Sequence, residues 1–282
     1  MNGQLSPTGR FERILLASDG SEYCADAERT ALAMMEKCGG TLQIVSVVIT
    51  NPAAESIAPE RIQAAEQETR ALLDRLHAEA VKRGIQSETI LRRGLDPHVE
   101  IVTAAEKHGS DVIVMGRRGK RGLMQRMIGD ATSKVVGSAR CSVLVVPEGA
   151  GMWQKRILLA TDGSRFADAA AVTTTSMAGF CKAKSTVVSV TTPGYGQENR
   201  QEAEQVVQRI VEHMKSEGID AEGLVLDGRP DELIVAAARD RDADLIVTGS
   251  HGRTGFERVL LGSTTERILN ETDCAVLVVK GV

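Results

Sequence analysis

The sequence predicts a tandem α/β protein with two doubly wound domains, each a five-stranded parallel sheet flanked by helices. First, a length of 282 residues suits two domains of ordinary size better than one. Second, the segment Arg13-Ile-Leu-Leu-Ala-Ser-Asp-Gly-Ser21 returns as Arg156-Ile-Leu-Leu-Ala-Thr-Asp-Gly-Ser164. Third, short runs of Val, Ile and Leu alternate with longer amphipathic segments, which is typical of buried parallel strands connected by helices.

The repeat continues along the chain, but the two copies differ in length. The later repeated segments are 111–116 with 244–249 and 141–146 with 274–279. Asp19 and Asp162 are 143 residues apart, whereas Gly116 and Gly249 are 133 apart. The first copy therefore carries about ten extra residues between these points. We expect most of them in a Pro- and Ala-rich loop from Thr50 to Glu60.

The segment 147–151 contains proline and two glycines and has the composition of a linker. It separates an expected first domain at 1–148 from a second at 152–282.

The elements are easiest to assign in the second copy. The predicted strands are Arg156 to Ala160, Ser185 to Val190, Leu224 to Leu226, Leu245 to Thr248 and Ala275 to Val279. The predicted helices are Phe166 to Lys182, Gln197 to Gly218, Pro230 to Asp242 and Ser263 to Thr272. Gly84 and Gly218 stand where a helix would end with a residue at positive φ. In such folds, ligands bind beyond the carboxyl ends of the strands, where the strand order reverses.

Composition argues against several functional classes. A net charge of -4 provides no positive field for nucleic acid, and the aromatic residues, 2% of the chain, are too scattered to stack bases. The five cysteines contain no CxxC pair, which indicates a reducing compartment. Residues 1–10 lack the apolar core of a signal peptide, and no apolar run approaches the roughly 18 residues of a membrane span. We therefore expect a cytoplasmic protein without nucleic-acid or membrane partners.

The strongest candidate site follows the fourth strand of the second copy. There the sequence is Gly249-Ser-His-Gly252-Arg-Thr-Gly255, and Gly262-Ser263-Thr264-Thr265-Glu266 comes after a short apolar stretch. Glycines let a ligand approach the main chain, and the helix that begins at Ser263 offers unpaired N–H groups to an anion. The segment therefore suits a phosphate chain. An equally weighted alternative is that the glycines serve turns and that Ser263 and Glu266 form a capping box.

The spacing Gly-x2-Gly-x9-Gly-Ser, together with Thr161-Asp-Gly-Ser164, resembles the ATP-binding members of the universal stress protein family, twice and over nearly the whole chain. The resemblance implies ATP, or ADP or AMP, at the carboxyl ends of the strands, with Mg²⁺ held through the phosphates rather than by protein ligands. Asp162 would lie beside the adenosine, and main-chain groups at Val190 would contact the adenine edge. The implied nucleotide-binding residues are Ala160, Thr161, Asp162, Val190, Thr248, Gly249, His251, Gly252, Arg253, Gly262, Ser263 and Thr264.

Two of these residues also have simpler explanations. Asp162-Gly-Ser before a helix is a turn and N-cap signal. His251 has no second His or Cys at metal-ligand spacing, so a zinc role is disfavoured. It either donates a hydrogen bond to phosphate or is a solvated loop histidine.

The first copy keeps the spacing but changes the chemistry. Asp130 stands where the second copy has Ser263, and we expect its carboxylate to occupy the anion position as an N-cap. A carboxylate about 4 Å from a phosphate costs on the order of 4 kcal/mol at an effective dielectric near 20. The principal nucleotide site is therefore predicted in the second copy. Weaker candidates in the first copy are Asp19, Val47, Gly116, Gly119, Gly129 and Asp130.

A basic cluster follows the fourth strand of the first copy. It consists of Arg117, Arg118, Lys120, Arg121 and Arg126. The cluster could offset the Asp130 charge, hold a signalling nucleotide or an acidic partner, or form a solvated surface paired with acidic residues. Of these, the solvated surface is favoured.

Motifs for enzymatic activation are missing from the sequence. It contains no GxxxxGK[ST], no G-x-S-x-G and no HEXXH. We therefore predict an ATP-binding stress-response regulator. The alternatives are a slow ATP hydrolase or nucleotidyl transferase of related fold, and a pure assembly scaffold.

The last strand of each copy indicates assembly. Cys141 to Val146 and Ala275 to Val279 are apolar and are expected at sheet edges, which tend to pair with other strands. The family resemblance implies that the two copies pack as an intrachain pseudo-dimer. We further expect a homodimer and protein partners that the sequence does not identify.

Overall fold

The computed structural model describes residues 11–119, 127–192, 196–252 and 261–280. The chain divides into two compact units: unit 1 contains Phe11–Glu148, and unit 2 contains the described residues from Gly149 onward. Within the described residues, each unit has five strands that alternate with helices. The predicted tandem α/β architecture is confirmed.

Unit 1 begins with a strand and ends with a strand. Its elements are β1 (Arg13–Ala17), a 3-10 turn (Glu22–Cys24), α1 (Ala25–Cys38), β2 (Thr41–Ile49), α2 (Pro52–Ile57), α3 (Pro59–Lys82), β3 (Gln86–Gly94), α4 (Pro97–His108), β4 (Val112–Gly116), α5 (Asp130–Ser138) and β5 (Ser142–Val146).

Unit 2 repeats this order without a counterpart of α2 among the described residues. Its elements are β6 (Arg156–Ala160), α6 (Arg165–Cys181), β7 (Lys184–Thr191), α7 (Gly196–Ser216), β8 (Ala221–Asp227), α8 (Pro230–Asp240), β9 (Leu245–Gly249), α9 (Ser263–Glu271) and β10 (Ala275–Val279). The strand and helix positions predicted for the second copy agree with the observed ones to within a few residues.

None of the described helices combines the length and the apolar character that a membrane span requires.

Each unit has a parallel sheet with the same strand order. The order is β3-β2-β1-β4-β5 in unit 1 and β8-β7-β6-β9-β10 in unit 2. The paired strands run parallel, for example β1 with β4 and β6 with β9. In each unit the chain first builds outward from the first strand and then crosses to its other side. The strand order therefore reverses between β1 and β4, and between β6 and β9.

Local sequence explains where strands and helices begin and end. In β1, Ile14, Leu15 and Leu16 are almost completely buried, because helices cover both faces of a parallel sheet. Proline occupies the first turn of α3, α4 and α8, where its missing N–H costs no hydrogen bond. Gly84 and Gly218 have φ values of 72° and 77° and follow α3 and α7, as predicted.

Two sequence predictions need correction. The segment Thr50 to Glu60 is not simply a loop, because α2 and the start of α3 lie within it. Its alanines and its two prolines at helix starts favour helical turns. β8 extends from Ala221 to Asp227 rather than from Leu224 to Leu226, since an edge strand with exposed positions shows no continuous apolar run.

One aspartate in each unit fixes the start of the first strand. Asp111 precedes β4, and its carboxylate accepts hydrogen bonds from the backbone N–H groups of Glu12 at 3.0 Å and Arg13 at 2.8 Å. Asp244 precedes β9 and accepts from the backbone N–H groups of three consecutive residues, at 2.7, 2.9 and 3.1 Å. These donors belong to Gln154, Lys155 and Arg156. In both units the carboxylate aligns two neighbouring strands at their amino ends.

We predict that Asp244→Ala lowers the free energy of unfolding of unit 2 by about 2 to 3 kcal/mol, because charge-assisted hydrogen bonds to backbone donors are lost. Urea denaturation followed by the fluorescence of Trp153, which is buried in unit 2, measures this. Asp273→Ala is the matched control, since Asp273 makes an exposed ion pair with Arg239. Equal midpoints for the two variants would contradict the assigned role of Asp244.

Candidate functional site

The candidate site of unit 2 lies where the strand order reverses. Thr161 and Asp162 directly follow β6, and Ser250 directly follows β9. Because β6 and β9 are adjacent and parallel, their carboxyl ends lie at the same edge of the sheet. The fold thus brings together the two sequence segments that carried the functional prediction.

Asp162 and Gly252 make the closest approach across this edge. Oδ1 of Asp162 accepts a hydrogen bond from the backbone N–H of Ser164 at 3.0 Å. A Cβ atom on Gly252 would lie 2.7 Å from Oδ2 of Asp162, closer than real Cβ contacts. In unit 1, Oδ2 of Asp19 likewise lies against Gly119. The second glycine of the motif therefore leaves space for the carboxylate of the aspartate that follows the first strand.

Asp162 also has the turn role that its local sequence indicates. Its hydrogen bond to the N–H of Ser164 forms an Asx turn. Ser164, rather than Asp162, is the N-cap of α6, because its Oγ accepts a hydrogen bond from the backbone N–H of Ala167. One oxygen of Asp162 thus holds the turn while the other lies at Gly252.

The first glycine of the motif has a packing role. A Cβ atom on Gly249 would lie 2.9 Å from the backbone C and O atoms of Phe166 at the start of α6. In unit 1, a Cβ on Gly116 would lie 2.6 Å from the backbone O of Tyr23. These glycines therefore allow the strand to approach the neighbouring backbone. At Gly249 the absence of a side chain is required by packing against a neighbouring backbone, rather than by a turn.

Main-chain hydrogen bonds join the two ends of the glycine segment. The N–H of Gly262 donates to the carbonyl of Ser250 at 3.1 Å, and in unit 1 the N–H of Gly129 donates to the carbonyl of Arg117 at 2.9 Å. We call each of these contacts the neck of its segment. The neck holds the end of the fourth strand beside the start of the last helix.

A buried threonine reinforces each neck. Oγ1 of Thr265 donates to the carbonyl of Gly249 at 3.1 Å, and Oγ1 of Thr132 donates to that of Gly116 at 3.1 Å. Neither threonine was predicted as a site residue. Their recurrence as the third residue of the helix in both copies was the signal that could have identified them.

The start of α9 has no side-chain cap. Its N-cap is Gly262, and no side chain makes a capping hydrogen bond at that residue. Ser263 is the first helical residue and is exposed, so the anticipated capping box does not form. Since the first amides of a helix have no partner within it, the first turn of α9 provides N–H donors at the site.

His251 is half-buried and is held from two sides. Its Nδ1 lies 3.1 Å from Oγ of Ser250, and its ring centroid lies 5.2 Å from that of Phe166. These contacts argue against a solvated loop histidine. In unit 1 the same positions carry Arg118 and Tyr23, with the guanidinium carbon 3.6 Å from the ring centroid.

The other predicted residues of unit 2 lie along the same strand ends. Ala160, Thr161 and Thr248 are buried, and Oγ1 of Thr161 accepts a hydrogen bond from the N–H of Gly163 at 3.2 Å. Val190 lies near the end of β7 and is half-buried, and Thr264 is half-buried in the first turn of α9. Arg253 lies outside the described residues, as do Lys120, Arg121 and Arg126 of the basic cluster.

Unit 1 differs from unit 2 beneath the end of its first strand. Buried Glu28 accepts a hydrogen bond from Oγ of Ser18 at 2.7 Å and pairs with Arg75 at 3.1 Å. The thiol of Cys24 donates a hydrogen bond to Oδ1 of Asp19 at 3.3 Å. Burial raises the pKa of the Cys24 thiol to about 11, and the Asp19 charge adds to this effect. At neutral pH the thiol therefore stays protonated.

The Asp130 prediction needs a correction. Gly129, not Asp130, is the N-cap of α5. The Asp130 side chain is 79% exposed and pairs with Lys134 at 2.8 Å, and this hydrogen bond raises the pKa of Lys134. Its carboxylate is thus held by the helix surface rather than over the helix start, so it opposes an anion less than expected. Val47 lies toward the end of β2 and is half-buried.

No group of three or more His, Cys, Asp or Glu side chains suited to a metal ion occurs in the described parts of the chain. The site therefore consists of backbone donors, a carboxylate and one imidazole in unit 2.

A family model described as the universal stress protein family matches residues 10–147 and 154–280. The universal stress protein Slr1230 of Synechocystis is 24% identical over 295 residues, covering 95% of this chain and 99% of that protein. The universal stress protein MJ0531 of Methanocaldococcus jannaschii is 38% identical over 81 residues, covering 29% of this chain and 48% of that protein. The chain spans about half the length of the first curated relatives it matches.

A crystal structure of a universal stress protein from Archaeoglobus fulgidus has a similar fold. Its TM-score is 0.79 at 21% sequence identity, and the match covers 98% of this chain and 100% of that chain. The fold thus extends over both units of this protein.

We predict that Gly249→Ala destabilises unit 2 by about 1 to 3 kcal/mol, because the added methyl group overpacks the backbone of Phe166. Gly179→Ala is the matched control: nothing lies within 4 Å of a Cβ at this position in α6, so the change is expected to be neutral or stabilising. Thermal unfolding followed by Trp153 fluorescence compares the variants. If Gly249→Ala and Gly179→Ala have the same melting temperature, the packing role assigned to Gly249 is wrong.

Proposed function

The chain belongs to the universal stress protein family, and on this basis we propose that it is an ATP-binding stress-response regulator whose principal nucleotide site lies in unit 2. The observation that carries the proposal is the approach of Asp162 to Gly252 beside the start of α9, which no side chain caps at Gly262. Asp162 follows β6 and Gly252 follows β9 closely, so both lie at the point of strand reversal, the usual position for ligands in such folds.

The phosphates are assigned to the helix start. Amides in the first turn of α9 and the positive end of its dipole favour a polyanion. Exposed Ser263 adds a hydroxyl donor, and His251 adds a ring N–H. A bound Mg²⁺ would neutralise phosphate charge while keeping most of its waters, since no metal cluster occurs among the described residues.

The nucleoside is assigned to the ends of β6 and β7. The Asp162 carboxylate is assigned to the ribose hydroxyls, through the oxygen that lies against Gly252. Main-chain groups at Val190 lie one strand further out, because β6 pairs with β7. These positions match the order that the family resemblance implies for adenosine and phosphates.

Unit 1 is assigned the weaker nucleotide site. The Ser18 hydroxyl, which corresponds to Thr161, is engaged by buried Glu28. The side chain of Leu72 lies beside the turn after β1, where a Cβ on Gly20 would be 3.0 Å from it. Both features reduce the room and the donors for a nucleoside at the end of β1.

Regulation is assigned to the neck of unit 2. Phosphates bound at the start of α9 would contact both sides of the Gly262–Ser250 hydrogen bond, so occupancy would stabilise this closure. Partner proteins could then distinguish the ATP-bound form from the nucleotide-free form at this edge of the sheet.

We predict that Gly252→Ala weakens ATP binding by about tenfold or more, because the methyl group displaces the Asp162 carboxylate and the loss of one charge-assisted contact has this size. Isothermal titration calorimetry with Mg·ATP on the full chain measures the change. Gly179→Ala is the control and is expected to bind like the wild type. Equal affinities for all three proteins would remove unit 2 as the principal site.

A second prediction separates the regulator from an enzyme. On adding Mg·ATP, amide hydrogen exchange is expected to slow at Gly262, whose N–H donates the hydrogen bond of the neck, while phosphate release stays well below about 1 per second. Mass-spectrometric exchange and a phosphate assay provide the two readouts. Turnover at ordinary enzymatic rates would favour an ATP-using enzyme, a phosphohydrolase or nucleotidyl transferase, and reject the regulator.

A further inference from the structure

Unit 2 contains a buried carboxylate outside the site described above. Asp231 lies in the first turn of α8 and is 2% exposed, which makes it the least exposed charged residue in the parts of the chain that the structure describes. A carboxylate is rarely buried to this extent unless it is paired. Its Oδ2 lies 3.0 Å from Nη2 of Arg229 and 3.7 Å from Nη1 of Arg267. Two guanidinium groups therefore compensate one buried charge.

One of these arginines belongs to the helix that begins at the proposed phosphate position. Arg267 is the fifth residue of α9. In an α-helix the N–H of the fifth residue donates to the carbonyl of the first, so the backbone of Arg267 completes the turn that starts at Ser263. Its side chain joins this turn to α8, which packs against α9. Asp231 is thus connected to the first amides of α9 through Arg267.

A second ionic contact joins the same two helices at their other ends. Nη2 of Arg239, near the end of α8, lies 3.1 Å from Oδ2 of Asp273 and donates to the carbonyl of Glu271, the last residue of α9, at 3.2 Å. The side chains of Arg239 and Asp273 are 60% and 76% exposed, and exposed ion pairs contribute little. We call Asp231–Arg267 the inner clamp and Arg239–Asp273 the outer clamp.

Of the two clamps, only the outer one has a counterpart in unit 1. The corresponding residues there are Glu106 and Arg140, whose charges are exchanged and which still pair at 3.2 Å. At the inner positions unit 1 has His98 and Lys134, two basic side chains that cannot form an ion pair with each other. Lys134 pairs with Asp130 of its own helix instead. The inner clamp therefore occurs in the unit to which the principal nucleotide site is assigned.

We propose that Asp231 is a positioning residue for the nucleotide site of unit 2, and that it acts through Arg267 to fix the start of α9 where the phosphates bind. This inference rests on the proposed function of unit 2. Solvent and salt screen a buried carboxylate less than an exposed one, so the inner clamp restrains α9 more strongly than the outer clamp does. A helix start that is restrained before binding reduces the ordering cost that the ligand has to meet.

The direction of one substitution separates positioning from simple charge repulsion. Asp231→Asn removes a negative charge from the unit that binds a polyanion, so repulsion alone predicts tighter ATP binding. Positioning predicts the opposite, a loss of affinity of about fivefold or more, the lower end of usual couplings between a remote group and a binding site. Isothermal titration calorimetry of the full chain with Mg·ATP measures the change. Asp273→Asn is the matched control, because it removes the same charge from the outer clamp, and its affinity is expected to equal or slightly exceed that of the wild type.

A double variant gives a second comparison. Asp231→Asn combined with Arg267→Gln leaves the net charge unchanged, so additive charge effects predict wild-type affinity. Positioning predicts that the double variant binds ATP as weakly as Asp231→Asn alone, since both substitutions break the same clamp. Wild-type or tighter ATP binding by Asp231→Asn, or wild-type binding by the double variant, would overturn the positioning role.

Hydrogen exchange provides a readout that does not involve nucleotide. Without ATP, exchange at Gly262 is expected to be faster in Arg267→Gln than in Arg239→Gln, because only the first variant releases the start of α9. Both remove one exposed guanidinium, so this pair carries the test if Asp231→Asn does not fold in a thermal melt, and equal exchange would then reject the inner clamp.

The two proposals fail by different results. Absence of Mg·ATP binding by the wild type would reject the proposed function of unit 2. Wild-type ATP binding that Asp231→Asn leaves unchanged would reject the positioning role alone.

Discussion

The close approach of backbone and carboxylate across the point of strand reversal is the constraint on which the site depends. Gly249 lets β9 lie against the backbone of Phe166, and Gly252 lets Asp162 approach the segment after β9. Neither contact tolerates a Cβ atom at its present distance. The glycine spacing is therefore first a packing requirement of the fold.

Much of the fold could be predicted from the sequence, because the repeat indicates two similar domains and the apolar runs indicate the buried strands. Buried strands such as β1 and β6 have continuous apolar sequences, so their positions were correct. The edge strand β8 was predicted too short because exposure breaks its pattern. The helix α2 was predicted as loop, since six residues give too short a pattern to distinguish helix from turn.

The site was predicted less completely, because its details depend on contacts between distant segments. The motif predicted the glycines and Asp162 as site residues. The sequence around Thr265 and Thr132, however, gives no indication that each hydroxyl donates a hydrogen bond to the carbonyl at the end of the fourth strand. Nor does the sequence show that Arg118 is buried on Tyr23. The N-cap assignment moved by one residue, from Asp130 and Ser263 to Gly129 and Gly262, because glycine caps through its backbone alone.

The neck has a consequence for how the two copies diverged. It is closed by a main-chain donor and a main-chain acceptor, so its formation does not depend on which side chains lie between its two ends. The stretch between the two ends can therefore differ between the copies. Residues 118–128 contain four basic side chains and no acidic one, whereas residues 251–261 contain two arginines and one glutamate. After a gene duplication, one unit can therefore acquire a different ligand preference through this segment while both units keep the same fold.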